Sequence, residues 1–316
     1  MTLLRALLVP ALLACSIGAV PAQGIGGDDR MRIVVPFSAG GAVDQIARLI
    51  ANSMGEGAAI VDNRTGAGGD IGVSAVAKAA PDGKTVLLHT SSHVINPALR
   101  GRSEEIARAF DPVARIGAVK FALVVRENLP AKTLAEFVAL AKSGKPLSYG
   151  STGHGTTLHI AGEMLNEAAG IKAVHVPYRG LNPAFTDMIS GQIDFMITSI
   201  IGIQPYVEAG KFRALAVFDD ERSAQLPGVP TTVELGYKTL AISNWYGLFL
   251  PAGVPDEKRA EVEAKLLAVI RQPGVQAQLT KAGVYGPQPG AQFRAAVEKE
   301  LAYWPEQLKT LGIQAN

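Results

Sequence analysis

From residue 31 onward, short hydrophobic runs alternate with stretches whose apolar positions recur every three or four residues. The first kind reads as buried strand and the second as amphipathic helix. Residues 31–37 are a buried strand. Residues 43–54 follow as a helix with Ile46, Ala47, Leu49 and Ile50 on one face. A short strand is expected at 59–63, then a helix at 70–79 that stops at the turn Pro81-Asp82-Gly83, and a strand at 85–89. The mixed charges of 100–115 read as a solvated face, with a new segment beginning at 111–113 and a long strand at 117–125. A helix at 134–142 has Thr133 as its cap and Ser143-Gly144 as its stop.

The alternation continues through a strand at 147–149, a helix at 157–169 stopped by Gly170, a strand at 173–176 and a helix at 183–191. It goes on with a strand at 193–198, a helix at 204–209, and strands at 214–218 and 242–250. A long helix at 255–271 precedes a helix–turn–helix end. Strands alternating with helices predict an α/β protein built on mostly parallel sheets. The pattern also repeats weakly. Arg32-Ile-Val-Val-Pro-Phe-Ser-Ala-Gly-Gly and Leu147-Ser-Tyr-Gly-Ser-Thr-Gly-His-Gly-Thr-Thr each run strand, Gly-rich loop, helix start. They lie about one domain length apart, so two similar lobes facing across a cleft are expected.

The chain has 316 residues, enough for two domains, and is 48% hydrophobic and 18% charged, an ordinary globular balance. A net charge of +2 gives no basic field, so nucleic acid is not an expected partner. The N-terminus reads as an export signal. Residues 1–5 are short and basic, 6–20 are apolar but broken by Pro10, Ser16 and Gly18, and Val20-Pro21-Ala22 invites cleavage after Ala22. That apolar run is shorter than a comfortable membrane span. The single cysteine, Cys15, falls inside it, so an exported chain would hold no disulfide or cysteine-bound metal. Leu12-Leu13-Ala14-Cys15 only partly resembles a lipoprotein box, and cleavage rather than a lipid anchor is expected.

The candidate chemistry sits in the two repeated loops. A helix N-terminus carries unpaired backbone N–H groups and a partial positive charge, and glycine lets a ligand approach that backbone. Strand, Gly loop and helix therefore make an anion site without a charged side chain. The first loop offers Phe37, Ser38, Ala39, Gly40 and Gly41, with Asp44 in the first helical turn to cap N–H groups or order a water. The second offers Ser151, Thr152, Gly153, His154, Thr156 and Thr157. One of these threonines suffices as a cap, so the surplus hydroxyls favour an oxygen-rich ligand. A third cluster, Arg64-Thr65-Gly66-Ala67-Gly68-Gly69-Asp70, also precedes a helix and alone reads as a turn.

Other chemistries fit less well. Neither a P-loop ending nor a G-x-G-x-x-G is present, and Gly150-Ser151-Thr152-Gly153 is not a nucleophile elbow. His154 and His159 are five apart and so would not share a helix face, while His159 and Glu163 at i, i+4 read as a helix-face pair rather than a metal site. No metal, no cofactor and no catalytic residue is expected.

Several motifs together resemble a known family. They are Ile33-Val-Val-Pro-Phe-Ser-Ala-Gly-Gly-Ala-Val-Asp44, Val61-Asp-Asn-Arg-Thr-Gly-Ala-Gly-Gly-Asp-Ile-Gly72, Ala79-Ala-Pro-Asp-Gly-Lys-Thr85 and Tyr149-Gly-Ser-Thr-Gly153. Ile160-Ala-Gly-Glu163, Val176-Pro-Tyr-Arg-Gly180, Gly191-Gln-Ile-Asp194, Val229-Pro-Thr231 and Trp245-Tyr-Gly-Leu-Phe249 follow in order. The set resembles the Bordetella uptake gene (Bug) receptors, the extracytoplasmic solute receptors of tripartite tricarboxylate transporters.

The resemblance implies an α/β type II periplasmic-binding-protein fold, two Rossmann-like lobes joined by two crossing strands. It implies a signal peptide at 1–22, a first lobe at 31–122 plus 247–316 and a second at 123–246. It further implies a monomeric periplasmic receptor that captures a small mono- or dicarboxylate, aromatic acids included, for a membrane permease. Presentation of the ligand to a two-component sensor is the alternative. A hydrolase using Ser151 and a histidine is a third reading.

Asp44 and Asp194 match family positions associated with the cleft. Thr90, Ser91 and Ser92 follow the third strand, where relatives contact the variable end of the ligand. Tyr178, Arg179 and Trp245 are candidates for its wall. Ser38-Ala39 stands where relatives often have Pro-Pro or Pro-Gly, a change in the anchoring loop itself.

Overall fold

The computed structural model describes residues 29–313, apart from residues 67, 68, 145, 179 and 241. The export signal, Cys15 and Arg179 lie outside the described residues. The chain runs β1 (Met31–Val35), α1 (Ala42–Ser53), β2 (Ala59–Asn63), α2 (Asp70–Ala77), β3 (Thr85–Thr90), α3 (Ser92–Leu99), α4 (Ser103–Ala109) and β4 (Phe110–Arg126). It continues with α5 (Leu134–Lys142), β5 (Ser148–Ser151), α6 (Thr157–Ala169), β6 (Val174–Pro177), α7 (Leu181–Ser190) and β7 (Phe195–Ser199). Then come α8 (Ile200–Glu208), β8 (Phe212–Val217), β9 (Ser243–Pro251), α9 (Asp256–Ile270), α10 (Pro273–Lys281), β10 (Gln288–Pro289) and α11 (Gly290–Thr310).

The strands connect in the order β2-β1-β3-β9-β4-β7-β5-β6, with β8 and β10 also on β4. β1, β2 and β3 are mutually parallel, as are β5, β6 and β7. β9 runs antiparallel to β3 and β4, and β4 runs antiparallel to β7 and β8. The sheets are therefore mixed rather than mostly parallel.

β4 is the spine. Its residues Phe110–Lys120 pair with β9 in the first lobe, and from Phe121 on it pairs with β7 and β8 in the second. β9 starts at the same boundary, with Ser243 opposite Lys120. The return from the second lobe is tied there by the Ile242 N–H donating to Phe218 O and the Phe218 N–H donating to Phe121 O.

β1 is central and buried on both faces, as a strand between two parallel neighbours must be. α1 lays Val43, Ile46, Ala47, Ile50 and Ala51 against it at helical spacing. In the second lobe β7 alternates. Phe195 and Ile197 join the core under α5 and α6, while Met196 packs with Phe185 and Met188 of α7 and Ile200 and Ile203 of α8. Each such buried side chain contributes roughly 1.5–3 kcal/mol. The second sheet is thus covered on both faces, which leaves ligand contact to the loops at its ends.

Three local expectations are corrected. The stretch 100–115 is not a solvated face: it holds α4 and the start of β4, and Ile106, Phe110, Val113 and Ala114 are buried. The strand expected at 117–125 is the second half of one 17-residue strand. Pro112 and Gly117 disguise its continuity, and register shifts on β9 beside both absorb them. Helix α8 begins at Ile200 rather than 204, with Pro205 inside it.

Candidate functional site

The loop after β1 and the loop after β5 both lie at the C-terminal ends of parallel strands and both open a helix. Gly41 is the N-cap of α1 in an extended conformation, and no side chain caps the first turn. Ser38, Ala39, Gly40 and Gly41 are exposed. Gly40 has φ +81, which suits glycine, and a Cβ there would meet nothing within 4 Å.

Asp44 shapes this loop from beneath and is only 1% exposed. Its Oδ2 accepts from the Gly40 N–H at 2.8 Å and from Arg48 Nε at 2.8 Å. Its Oδ1 accepts from Asn63 Nδ2 at 3.0 Å, and the same amide donates to Phe37 O at 3.1 Å. The Arg48 hydrogen bond, against the opposing cost of burial and with help from Gly40 and Asn63, lowers the carboxyl to about 2. Asp44 is therefore an ionised strut within the loop, holding the Gly40 N–H just ahead of the helix cap.

Phe37 meets His89 edge-to-face at 5.2 Å, which joins the first loop to the end of β3. At the β3–α3 corner Thr90 and Ser91 are buried and Ser92 is half-buried. Ser91 Oγ donates to Asn244 Oδ1 at 2.6 Å and shares a 3.1 Å hydrogen bond with Thr157 Oγ1. Ser91 belongs to the first lobe and Thr157 to the second, so the two lobes touch. They also touch at Gly155, where a Cβ would fall 2.9 Å from Leu99 Cδ1 and 3.3 Å from Asn96 Oδ1 of α3.

The second loop is folded largely on itself. Thr156 is the N-cap of α6: its Oγ1 accepts from the His159 N–H at 3.5 Å and donates to Gly153 O at 2.8 Å. Ser151 is fully buried. Its Oγ donates to Gly153 O at 3.0 Å, accepts from the Gly153 N–H at 3.0 Å and lies 2.6 Å from His175 Nε2. All three contacts are satisfied when His175 Nε2–H donates to Ser151. The histidine beside Ser151 is thus His175, not one of its sequence neighbours, and the buried hydroxyl points back into the loop rather than out as a nucleophile. His154 is exposed, with Thr152 and Gly153 half-buried beside it.

His154 and His159 meet although they are five residues apart, because His154 precedes the helix. Their rings are 4.5 Å apart, and His159 and His175 are 4.1 Å apart. His159 Nδ1 accepts from the Gly155 N–H at 3.2 Å. Burial, then repulsion from the neighbouring rings, lowers His159 to about 3. Burial, partly offset by Glu163, lowers His175 to about 4. Burial also lowers His89 to about 4.

The remaining expected residues stand elsewhere. Asp194 precedes β7 and accepts from the Ser148 N–H at 2.9 Å and from Arg126 Nε at 3.1 Å. Ser148 begins β5 and the loop follows its end, so Asp194 lies at the opposite edge of the sheet. Tyr178 turns its ring toward the core beside α7, and its hydroxyl donates to Asp187 Oδ2 at 2.8 Å. Trp245 is a core residue, against Phe249 and Phe293, with Nε1 donating to Glu300 Oε1 at 2.9 Å. Sequence reasoning missed Asn244, Asn96 and His175. Only the fold brings Asn244 to Ser91, Asn96 to Gly155 and His175 to Ser151, and no local pattern marks them.

The geometry is that of a two-lobed solute-binding protein: two α/β lobes on a shared spine, each with a glycine-rich helix start, in contact through Ser91 of the first and Thr157 of the second. The chain belongs to the tripartite tricarboxylate transporter family receptors, whose profile its residues 43–312 match.

Solved structures agree. The periplasmic binding protein BugD superposes with a TM-score of 0.79 at 30% identity, covering 91% of this chain and 99% of its own. Rpa4515 of R. palustris, solved with adipate, gives 0.80 at 30% identity and 90% and 98% coverage. MatC (Rpa3494) of Rhodopseudomonas palustris, solved with bound malate, gives 0.78 at 30% identity and 88% and 98% coverage. Receptors of this family are periplasmic, bind small carboxylates and work with a membrane transporter.

Proposed function

We propose that this receptor captures a small organic mono- or dicarboxylate in the crevice between the first turns of α1 and α6 and delivers it, as a monomer, to its membrane permease. The supporting observation is that the two helix starts lie one in each lobe, in loops that contain no lysine or arginine between residues 37 and 44 or between 151 and 157. An anion held there is stabilised by backbone N–H groups and two helix dipoles, each worth about 0.3–1 kcal/mol and up to about 2 when sheltered.

On this reading the exposed Ser38, Ala39, Gly40 and Gly41 and the Thr152–His154 segment present the anchor. Thr90, Ser91, Ser92 and Asn244 form the floor, and Thr157 closes against Ser91. Closure over the ligand supplies the state the permease reads. The adipate and malate complexes of two relatives at 30% identity support this ligand class. The receptor acts by capture alone, with Ser151 structural.

Isothermal titration with malate, adipate, benzoate and the neutral diamide of adipic acid tests the reading. A carboxylate is expected to bind and the diamide to fail. A folded receptor that binds no carboxylate, or binds the diamide equally well, overturns it.

A further inference from the structure

The loops that would hold the carboxylate lack a lysine or arginine of their own, yet His154 of the second loop heads a tilted stack of three imidazoles that runs back beneath it. The His154 ring lies 4.5 Å from His159, and His159 lies 4.1 Å from His175. Two of the three also shape the loop: His159 Nδ1 holds the Gly155 N–H and His175 Nε2 holds Ser151 Oγ. We propose that this stack supplies the counter-charge for the bound carboxylate, so that the anion is captured together with one proton from solvent. The inference rests on the carboxylate reading above and names a further determinant of that same site.

The hydrogen bonds indicate where the proton goes. His159 must keep a bare Nδ1 to accept from Gly155, so it is not the carrier. His175 already donates from Nε2 to Ser151, which leaves its Nδ1 lone pair open. His154, exposed at the mouth of the loop, is the other carrier. Closely packed rings admit one charge at a time, because a second imidazolium about 4 Å away costs several kcal/mol in a protein environment.

With no anion present the inner two are neutral at pH 7, since the burial of His159 lowers it to about 3 and the partial burial of His175 lowers it to about 4. The groups facing the stack are Glu163 of α6, whose Oε1 is 4.0 Å from His159 Nε2, and Tyr149 of β5, whose ring is 5.0 Å from His175. Tyr149 donates to Glu163 Oε1 at 2.5 Å, which ties up part of that carboxylate. From the first lobe, α3 presents the uncharged Asn96 and Leu99 at Gly155. An arriving carboxylate adds the negative charge the stack needs to take up a proton.

The test follows imidazole C–H resonances of the wild-type receptor by NMR from pH 5 to 8, without ligand and with saturating malate or adipate. Signals are assigned with His154→Asn, His159→Asn and His175→Asn. One stack histidine is expected to titrate above pH 7 when loaded, a rise of about three pH units if His175, free at about 4, is the carrier. As pH falls from the loaded to the free midpoint, affinity should tighten by up to tenfold per pH unit, and calorimetry across buffers of different ionisation heat should read one proton taken up between those midpoints. A carboxylate that binds with every midpoint unmoved and a buffer-independent enthalpy overturns the proton linkage while leaving the binding reading intact. Absence of carboxylate binding at every pH overturns both.

Discussion

Asp44→Asn isolates the strut beneath the first loop. The side chain is 1% exposed and its carboxyl is lowered from 3.8 to about 2. At about 1.36 kcal/mol per pKa unit, ionised Asp44 stabilises the fold by about 2.5 kcal/mol at neutral pH. Arg48 is 52% exposed, and water screening of that partner brings the expected value nearer 2 kcal/mol. The sign follows from a depressed carboxyl: the stabilisation is complete above the unfolded value near 4 and disappears as pH falls through about 2. Roughly half should remain at pH 3. Urea denaturation of the wild type and Asp44→Asn at pH 7 and pH 3 reads the effect directly, because titration of all other groups cancels in the difference. The gap is expected to narrow by about 1 kcal/mol on going to pH 3. A gap that is absent at pH 7, or unchanged at pH 3, refutes the assignment of Asp44 as an ionised strut.

Other substitutions separate closure from folding. Ser91→Ala removes the hydroxyl that joins Thr157 and Asn244, and calorimetry should show about fivefold weaker carboxylate binding, the equivalent of about 1 kcal/mol, with little change in melting. Gly155→Ala forces an L-residue to φ +74 and a Cβ toward Leu99 and Asn96. It should cost about 1–2 kcal/mol of stability and leave a larger radius of gyration by X-ray scattering with ligand present; an unchanged radius would count against the lobe contact there. Asp194→Ala should lower the melting temperature, because it strands the Ser148 N–H and Arg126, while affinity stays within about twofold of the wild type. A selective loss of affinity would return Asp194 to the crevice.

The parts legible in the sequence were those written locally. Strand–loop–helix units carry period and punctuation within a dozen residues, so Thr133 and Gly170 could be placed at helix ends, while the α6 cap, open between Thr156 and Thr157 in the sequence, is Thr156 in the fold. Period breaks hid β4, because a bulge accommodates Pro112 in a way hydropathy does not record. Short α3 and α4 were hidden by Pro97 and by charges that pair along the surface, such as Arg102 with Glu105.

In the site, sequence marked which side chains were available but not which were already engaged. Ser151 read as one of several hydroxyls open to a ligand and Asp44 as a cap or a water-ordering group, and both spend oxygens inside their own loops. Asp194 matched a family position, yet strand direction puts it at the far edge of the sheet. The partners Ser91–Asn244 and Ser151–His175 depend on long-range packing that no local window contains.

The most direct measurement is a crystal structure of the receptor with malate or adipate bound. The expected result is one carboxylate in the crevice with its oxygens within about 3 Å of first-turn N–H groups of both α1 and α6. A carboxylate seated elsewhere, on the exposed Arg100 and half-buried Arg102 for example, or touching only one of the two helix starts, would contradict the two-lobed clamp.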